Sequence, residues 1–189
     1  MTNEDNISPV WFITGASSGI GRELVHQALE AGEAVAAVAR HIEALGDLGG
    51  SYGQTADPGV GLLAATKYAV EGLSDALVAE VAPLGIGVTL VRPGLTATPF
   101  LGNLGTAAAT HTDYDQTVRV VQQAIQALPA SAFSGVERVA AGIRTAVASD
   151  NPPRRLALGV AGADSMRKAL AARIAVLDEW ATVTDMVDA

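Results

Sequence analysis

The stretch Thr14-Gly15-Ala16-Ser17-Ser18-Gly19-Ile20-Gly21 has the residue types and spacing for binding chemistry. Gly15 permits a tight turn, and Gly19 and Gly21 let backbone come close to a ligand. Ser17 and Ser18 add hydroxyl donors. If a helix starts at this loop, its free N–H groups and positive dipole end suit a pyrophosphate. Gly15, Ser17, Ser18, Gly19, Ile20 and Gly21 are therefore the candidate phosphate contacts. The plain alternative is an ordinary Gly/Ser turn before a helix. A second feature bears on which nucleotide fits. An acid at the end of the next strand would bind a ribose 2′-OH, whereas an arginine accommodates a 2′-phosphate. Here Ala39 is followed by Arg40 and His41, with no acid before Glu43. Arg40 therefore favours NADP(H) over NAD(H), the alternative being a solvated surface arginine.

These residues need elements to hold them. Pro9 to Ile13 (PVWFI) reads as a buried strand that meets a turn at Thr14-Gly15. Ile20, Leu24, Ala28 and their neighbours follow helical spacing up to Ala31, with Gly32 as the stop. Ala34 to Ala39 is an apolar run suited to a strand covered on both faces. Residues 9–40 thus read as a β-turn-α-β unit, the context that a nucleotide loop requires. The Gly-rich stretch 46–61 reads as loop. A helix over 63–82 would place Val70, Leu73, Leu77 and Val81 on one apolar stripe. Residues 87–92 form a third predicted strand, closed by Pro93-Gly94, and 95–112 reads as a mobile loop. Helices over 115–128 and 136–149, a strand over 155–159, a helix over 164–180 and a frayed tail complete the chain.

Three segments occur in a fixed order: TGASSGIG at 14–21, ATKYAVEGLSDAL at 65–77 and VRPGLTATPF at 91–100. Together they resemble the short-chain dehydrogenase/reductase family, and PPRRLALG at 152–159 is similar to the ending of some members. The resemblance implies a doubly wound parallel sheet and hydride transfer between NAD(P)(H) and a carbonyl or alcohol. It implies a Ser–Tyr–Lys constellation in which a lysine lowers the pKa of a tyrosine that exchanges a proton with substrate. The lysine matches Lys67, one of only two in the chain, the other being Lys168. The serine matches Ser51. Pro93, Gly94 and Thr98 match the turn beside the nicotinamide, and Lys67 also reaches the nicotinamide ribose. The catalytic candidates are thus Ser51 and Lys67, and the cofactor-binding set gains Lys67, Pro93, Gly94 and Thr98.

The chain departs from the family pattern at two places. Four residues before Lys67 stands Leu63, where the family has tyrosine, and leucine carries no exchangeable proton. Tyr68 is not a simple replacement, because five residues turn a helix by about 500° from position 63. Tyr52 would require a rearranged loop. In addition, only ten residues separate Arg40 from Ser51, where the family places two to three βα repeats of ~30 residues each. The first strand must then either pair with the 87–92 strand or leave a gap. The expected fold is α/β, a reduced Rossmann-like doubly wound parallel sheet of about four strands, in a single NAD(P)-binding domain over 1–189.

Composition bounds the remaining possibilities. Of 189 residues, 49% are hydrophobic and 17% charged, with mean hydropathy +0.30, which excludes a disordered chain. A net charge of −8 and the lack of a basic stripe argue against a nucleic-acid partner. There is no cysteine, so disulfides and thiolate sites are excluded. His26, His41 and His111 have no metal-ligand spacing. No apolar run reaches the ~18 residues of a membrane span, and Met1 to Asn6 does not read as a secretory signal. A cytoplasmic location and a small-molecule partner follow as expectations. The resemblance adds a homodimer through the 63–82 helix. Three functions stay open: an NADP(H)-dependent oxidoreductase impaired at Leu63, an inactive nucleotide-binding or dimer-partner protein, and a deletion product without function of its own.

Overall fold

The computed structural model describes residues 10–38, 53–99 and 111–188. Arg40, Ser51, Tyr52 and most of the predicted 95–112 loop lie outside these residues. The described residues divide into two compact units, 10–38 with 95–99 and 129–153, and 53–94 with 111–128 and 154–188.

The first unit is built on β1 (Val10–Thr14), α1 (Gly19–Glu30) and β2 (Ala34–Val38). β1 and β2 pair in parallel, with Val10 opposite Ala34 and Thr14 opposite Val38. α1 packs on α4 (Val136–Val147). At this contact Ala28 and Ala140 are fully buried, and Val139 is nearly so. Alanine on both helices lets the backbones approach closely, which a larger side chain would prevent. A polar clamp fixes the end of the unit remote from the glycine loop. Trp11 Nε1 donates to Glu33 Oε2 at 2.8 Å, and both Arg144 Nη groups donate to the same carboxylate. The Arg144 guanidinium also lies 5.5 Å from the Trp11 ring centroid, a cation–π distance. Residues 95–97 join this unit through Ser134, whose N–H donates to Leu95 O and whose carbonyl accepts from Ala97 N–H.

The second unit contains α2 (Gly61–Val81), β3 (Leu90–Pro93), α3 (Val120–Gln126), β4 (Arg155–Leu158), α5 (Val160–Glu179) and α6 (Ala181–Asp185). β3 and β4 pair in parallel, with Leu90 opposite Arg155 and Pro93 opposite Leu158.

The four strands of the expected parallel α/β fold are present, and among the described residues they form two two-stranded ladders. Hydrogen bonds join β1 to β2 and β3 to β4, and no ladder among the described residues joins the pairs. Among the described residues β1 pairs with β2 alone. A middle strand pairs the backbone on both sides of a sheet, and the described residues between β2 and α2 supply none. Full cover of the first two strands also fails: Val10 and Phe12 are 72% and 71% exposed, whereas Ile13 is buried. Side chains alternate across a strand, and only one face of β1 is covered. The stripe predicted for α2 is corrected as well. Leu73 is 69% exposed and Leu77 40%, and the buried face is Ala64, Lys67 and Glu71. This helix is apolar around much of its circumference, so its period alone did not select the inward face. Arg92 and Arg155 draw Glu71 inward instead, and Lys67 is buried on the same face. The predicted frayed tail is helical through α6.

Candidate functional site

In the first unit the loop between β1 and α1 has the geometry that its glycines suggest. Gly15 and Gly19 have φ of 68° and 52°, the left-handed region that L side chains rarely adopt. At Gly21 the requirement is space: a Cβ there would lie 2.5 Å from Gly15 O. The first turn of α1 thus rests directly against the turn that leaves β1. Ser18 is the N-cap residue in extended conformation, its side chain makes no capping bond, and the first turn holds no acidic residue. The N-terminal charge of the helix is therefore not offset from within its own first turn. Ser17 and Ser18 are exposed, whereas Ile20 is buried. Ile20 anchors the helix, and only its backbone N–H is available to a ligand.

Thr98 is brought to this loop. Its Cγ2 lies 3.2 Å from where a Cβ on Gly19 would stand. Two motifs about eighty positions apart, read separately from the sequence, therefore meet at one place in the same unit.

In the second unit Lys67, Glu71 and Arg92 are all buried, with 5%, 6% and 6% of their surface exposed. Buried ions are rare unless paired, and Glu71 is densely paired. Arg92 Nε and Nη2 donate to its two carboxylate oxygens, and Arg155 Nε donates to Oε2 at 3.1 Å. Arg155 also pairs with Asp75, one turn further along α2. That hydrogen bond, more than any other contact, raises the guanidinium pKa above its ordinary value. Directly after Arg92, Pro93 is buried, and Gly94 N–H donates to Leu158 O at 2.7 Å. Gly94 also lies against the start of α5: a Cβ added at Gly162 would stand 3.6 Å from Gly94 Cα. The Pro93-Gly94 turn is thereby pinned to β4 and α5.

Leu63 stands four residues before Lys67, and its carbonyl accepts the Thr66 hydroxyl at 2.7 Å. Tyr68 is committed elsewhere. Its phenol oxygen accepts from Arg173 Nη2, whose guanidinium lies 5.4 Å from the ring centroid and also donates to Gln54 O at 2.7 Å.

The structure thus groups Gly15, Ser17, Ser18, Gly19, Ile20, Gly21 and Thr98 in one unit and Lys67, Pro93 and Gly94 in the other. Ser51 and Arg40 lie outside the described residues. Sequence reasoning missed Glu71, Asp75, Arg92 and Arg155. The available signal was the four-residue spacing Lys67–Glu71–Asp75 along one helix face, together with an arginine directly before Pro93. Among the described residues no group of three or more His, Asp or Glu side chains could hold a metal ion. No helix among them is long and apolar enough to cross a membrane.

The family model for short chain dehydrogenase matches residues 48–109. Oxidoreductase BOA17 of Botryotinia fuckeliana is 28% identical over 140 residues, which is 74% of this chain and 50% of the relative. The chain therefore spans about half the length of that curated relative. A short-chain dehydrogenase from Streptomyces avermitilis has a similar structure, with a TM-score of 0.77 and 24% identity over 94% of this chain and 98% of that one. A short-chain dehydrogenase from Burkholderia cenocepacia in complex with NADP matches with a TM-score of 0.61 and 14% identity, over 91% and 97% of the two chains. The chain is thus similar to short-chain dehydrogenases over residues 48–109, and its parallel α/β fold is shared with the solved structures.

Proposed function

We propose that this chain binds NADP(H) and carries a slow oxidoreductase activity toward a small carbonyl or alcohol substrate. The observation that carries the reading is the β1–α1 loop, where Gly21 leaves no room for a Cβ and Thr98 closes on Gly19. A loop so close-packed, opening a helix without acidic residues in its first turn, suits a pyrophosphate. Arg40, two positions after β2 in the sequence, favours the 2′-phosphate of NADP(H), with NAD(H) as the alternative. Structural neighbours in complex with NADP and with NAD both occur, so the choice rests on Arg40.

A bound nicotinamide supplies or accepts the hydride. The other tasks fall to the chain. Gly15, Ser17, Ser18, Gly19, Ile20 and Gly21 hold phosphate through backbone N–H groups and hydroxyls. The family resemblance assigns Lys67, Pro93, Gly94 and Thr98 to the nicotinamide end. Ser51 polarises the substrate oxygen. Leu63 cannot move a proton, so the general-acid contribution of about 10²–10⁴-fold is missing and water must serve. The reading takes residues 1–189 as one Rossmann-like binding domain, located in the cytoplasm. It pairs into a homodimer through α2, whose Leu73 and Leu77 are exposed.

Leu63 specifically favours a second reading, a nucleotide-binding protein without turnover. NADPH oxidation over a panel of aldehydes and ketones separates the two. Turnover that disappears in Lys67→Ala supports the enzyme. Saturable NADPH binding with no turnover in the native chain or in Leu63→Tyr supports the binding protein. A chain with neither binding nor a cooperative thermal transition is a deletion product without function.

A further inference from the structure

α5 is buried only near its beginning. Met166 is its one buried residue, and every residue from 170 to 188 is exposed. Arg173 ties the helix to Gln54 O and to the Tyr68 phenol, yet the stripe beside it is apolar and bare. Leu170, Ile174 and Leu177, spaced by four and three, fall on one face. They are 42%, 58% and 69% exposed, and Trp180 follows at the end of the helix, 57% exposed. Most of the stability of a helix in a protein comes from packing of its apolar face. This face has no cover among the described residues.

The charges of α5 run against its own dipole. Its first turn holds no acid and its last turn no base. Instead Arg167 and Lys168 lie in the first half, and Asp178 and Glu179 close the helix. Carboxylates at a helix C-terminus destabilise an isolated helix. A second copy of the same helix resolves both features. When two α5 helices lie antiparallel with Leu170 of each opposite Ile174 of the other, the apolar stripes cover one another. Arg167 and Lys168 of each copy then fall within one turn of Asp178 and Glu179 of the other. Arg167 also pairs with Asp164 on its own helix, but the two side chains are 75% and 53% exposed, where an ion pair holds little. A helix that is basic in one half, acidic at the other end and apolar between is complementary to its own copy about a two-fold axis, the symmetry of most dimers.

We propose that α5 is a self-association surface, on which a second copy of this chain docks antiparallel through Leu170, Ile174 and Leu177, with the charged halves crossed. This surface is separate from the α2 pairing of the proposed function and needs no nucleotide. Sedimentation velocity of the full chain tests it, with the series repeated in Leu73→Glu/Leu77→Glu to remove any α2 pairing. The chain is expected to be a dimer in that background. Ile174→Glu/Leu177→Glu, at positions already exposed, is expected to keep the native Tm and to weaken self-association by about 100-fold or more. In the same background Arg167→Glu/Lys168→Glu and Asp178→Lys/Glu179→Lys are each expected to be monomeric alone and to associate one to one when mixed. A chain that stays monomeric up to about 0.1 mM would overturn the proposal, as would a folded Ile174→Glu/Leu177→Glu chain that associates as before. A monomer whose Tm falls in Ile174→Glu/Leu177→Glu would also overturn it, because the stripe would then be covered within its own chain.

Discussion

Replacing Gly21 by alanine is the smallest change that acts on the loop geometry directly. The added Cβ would stand 2.5 Å from Gly15 O, 3.0 Å from Gly15 C and 3.3 Å from Thr14 O. The first distance is about 0.8 Å short of the ~3.3 Å at which carbon and carbonyl oxygen ordinarily meet. All the obstructing atoms are backbone, so no side chain can rotate away. Either α1 retreats from β1 or the Gly15 turn opens. Overpacking of this kind costs about 1–3 kcal/mol of stability. Moving the first turn of α1 by that distance forfeits about one charge-assisted hydrogen bond to phosphate, about 1.5–3 kcal/mol or roughly 10- to 100-fold in Kd. Fluorescence titration with NADPH and a thermal melt read the two effects separately. Gly61→Ala is the control, because a Cβ at Gly61 meets nothing within 4 Å, and it should leave both unchanged. A Gly21→Ala variant with native Tm and native NADPH affinity would refute the close-packing account of the loop.

Other perturbations have equally definite outcomes. Leu63→Tyr restores a proton-carrying group four residues before Lys67, and NADPH-dependent turnover should rise by about 10²-fold or more; unchanged turnover would mean that the rest of the site cannot use it. Arg40→Ala should reduce the ratio of NADPH to NADH affinity by about tenfold or more, measured by paired titrations. Arg144, ahead of its other contacts, holds the Glu33 carboxyl below its ordinary pKa. The stability gained from Glu33 is therefore present above its unfolded pKa and lost as pH falls through the folded one. The Tm difference between native and Glu33→Gln should be widest near neutral pH and shrink below about pH 4.

The local elements were legible because each had a local cause. The apolar run 9–13 and the glycines at 15, 19 and 21 fixed β1, the turn and the start of α1 within a residue or two. The Pro93-Gly94 turn was marked by its own residue types. What was not legible was decided by tertiary partners. The inward face of α2 follows from Arg92 and Arg155, which lie on strands 21 and 84 residues away from Glu71. No hydropathy period contains that information. The division of four strands into two ladders was likewise left open, because strand runs carry no mark of their neighbours. The short interval between Arg40 and Ser51 raised that alternative without deciding it.

The site shows the same division. Motif reading found the glycine loop and Thr98, and their meeting at Gly19 is a structural fact that neither motif alone contains. It found Lys67 but passed over Glu71, because a Glu one turn after a Lys on a helix is usually a solvated surface pair. Both are buried, and Glu71 pairs with Arg92 and Arg155.

Calorimetric titration of the native chain with NADPH and, in parallel, with NADH tests the central claim most directly. The account predicts saturable binding at one site per chain, tighter for NADPH than for NADH, and weakened by Gly21→Ala. No saturable binding of either nucleotide at millimolar concentration, or a clear preference for NADH, would contradict it.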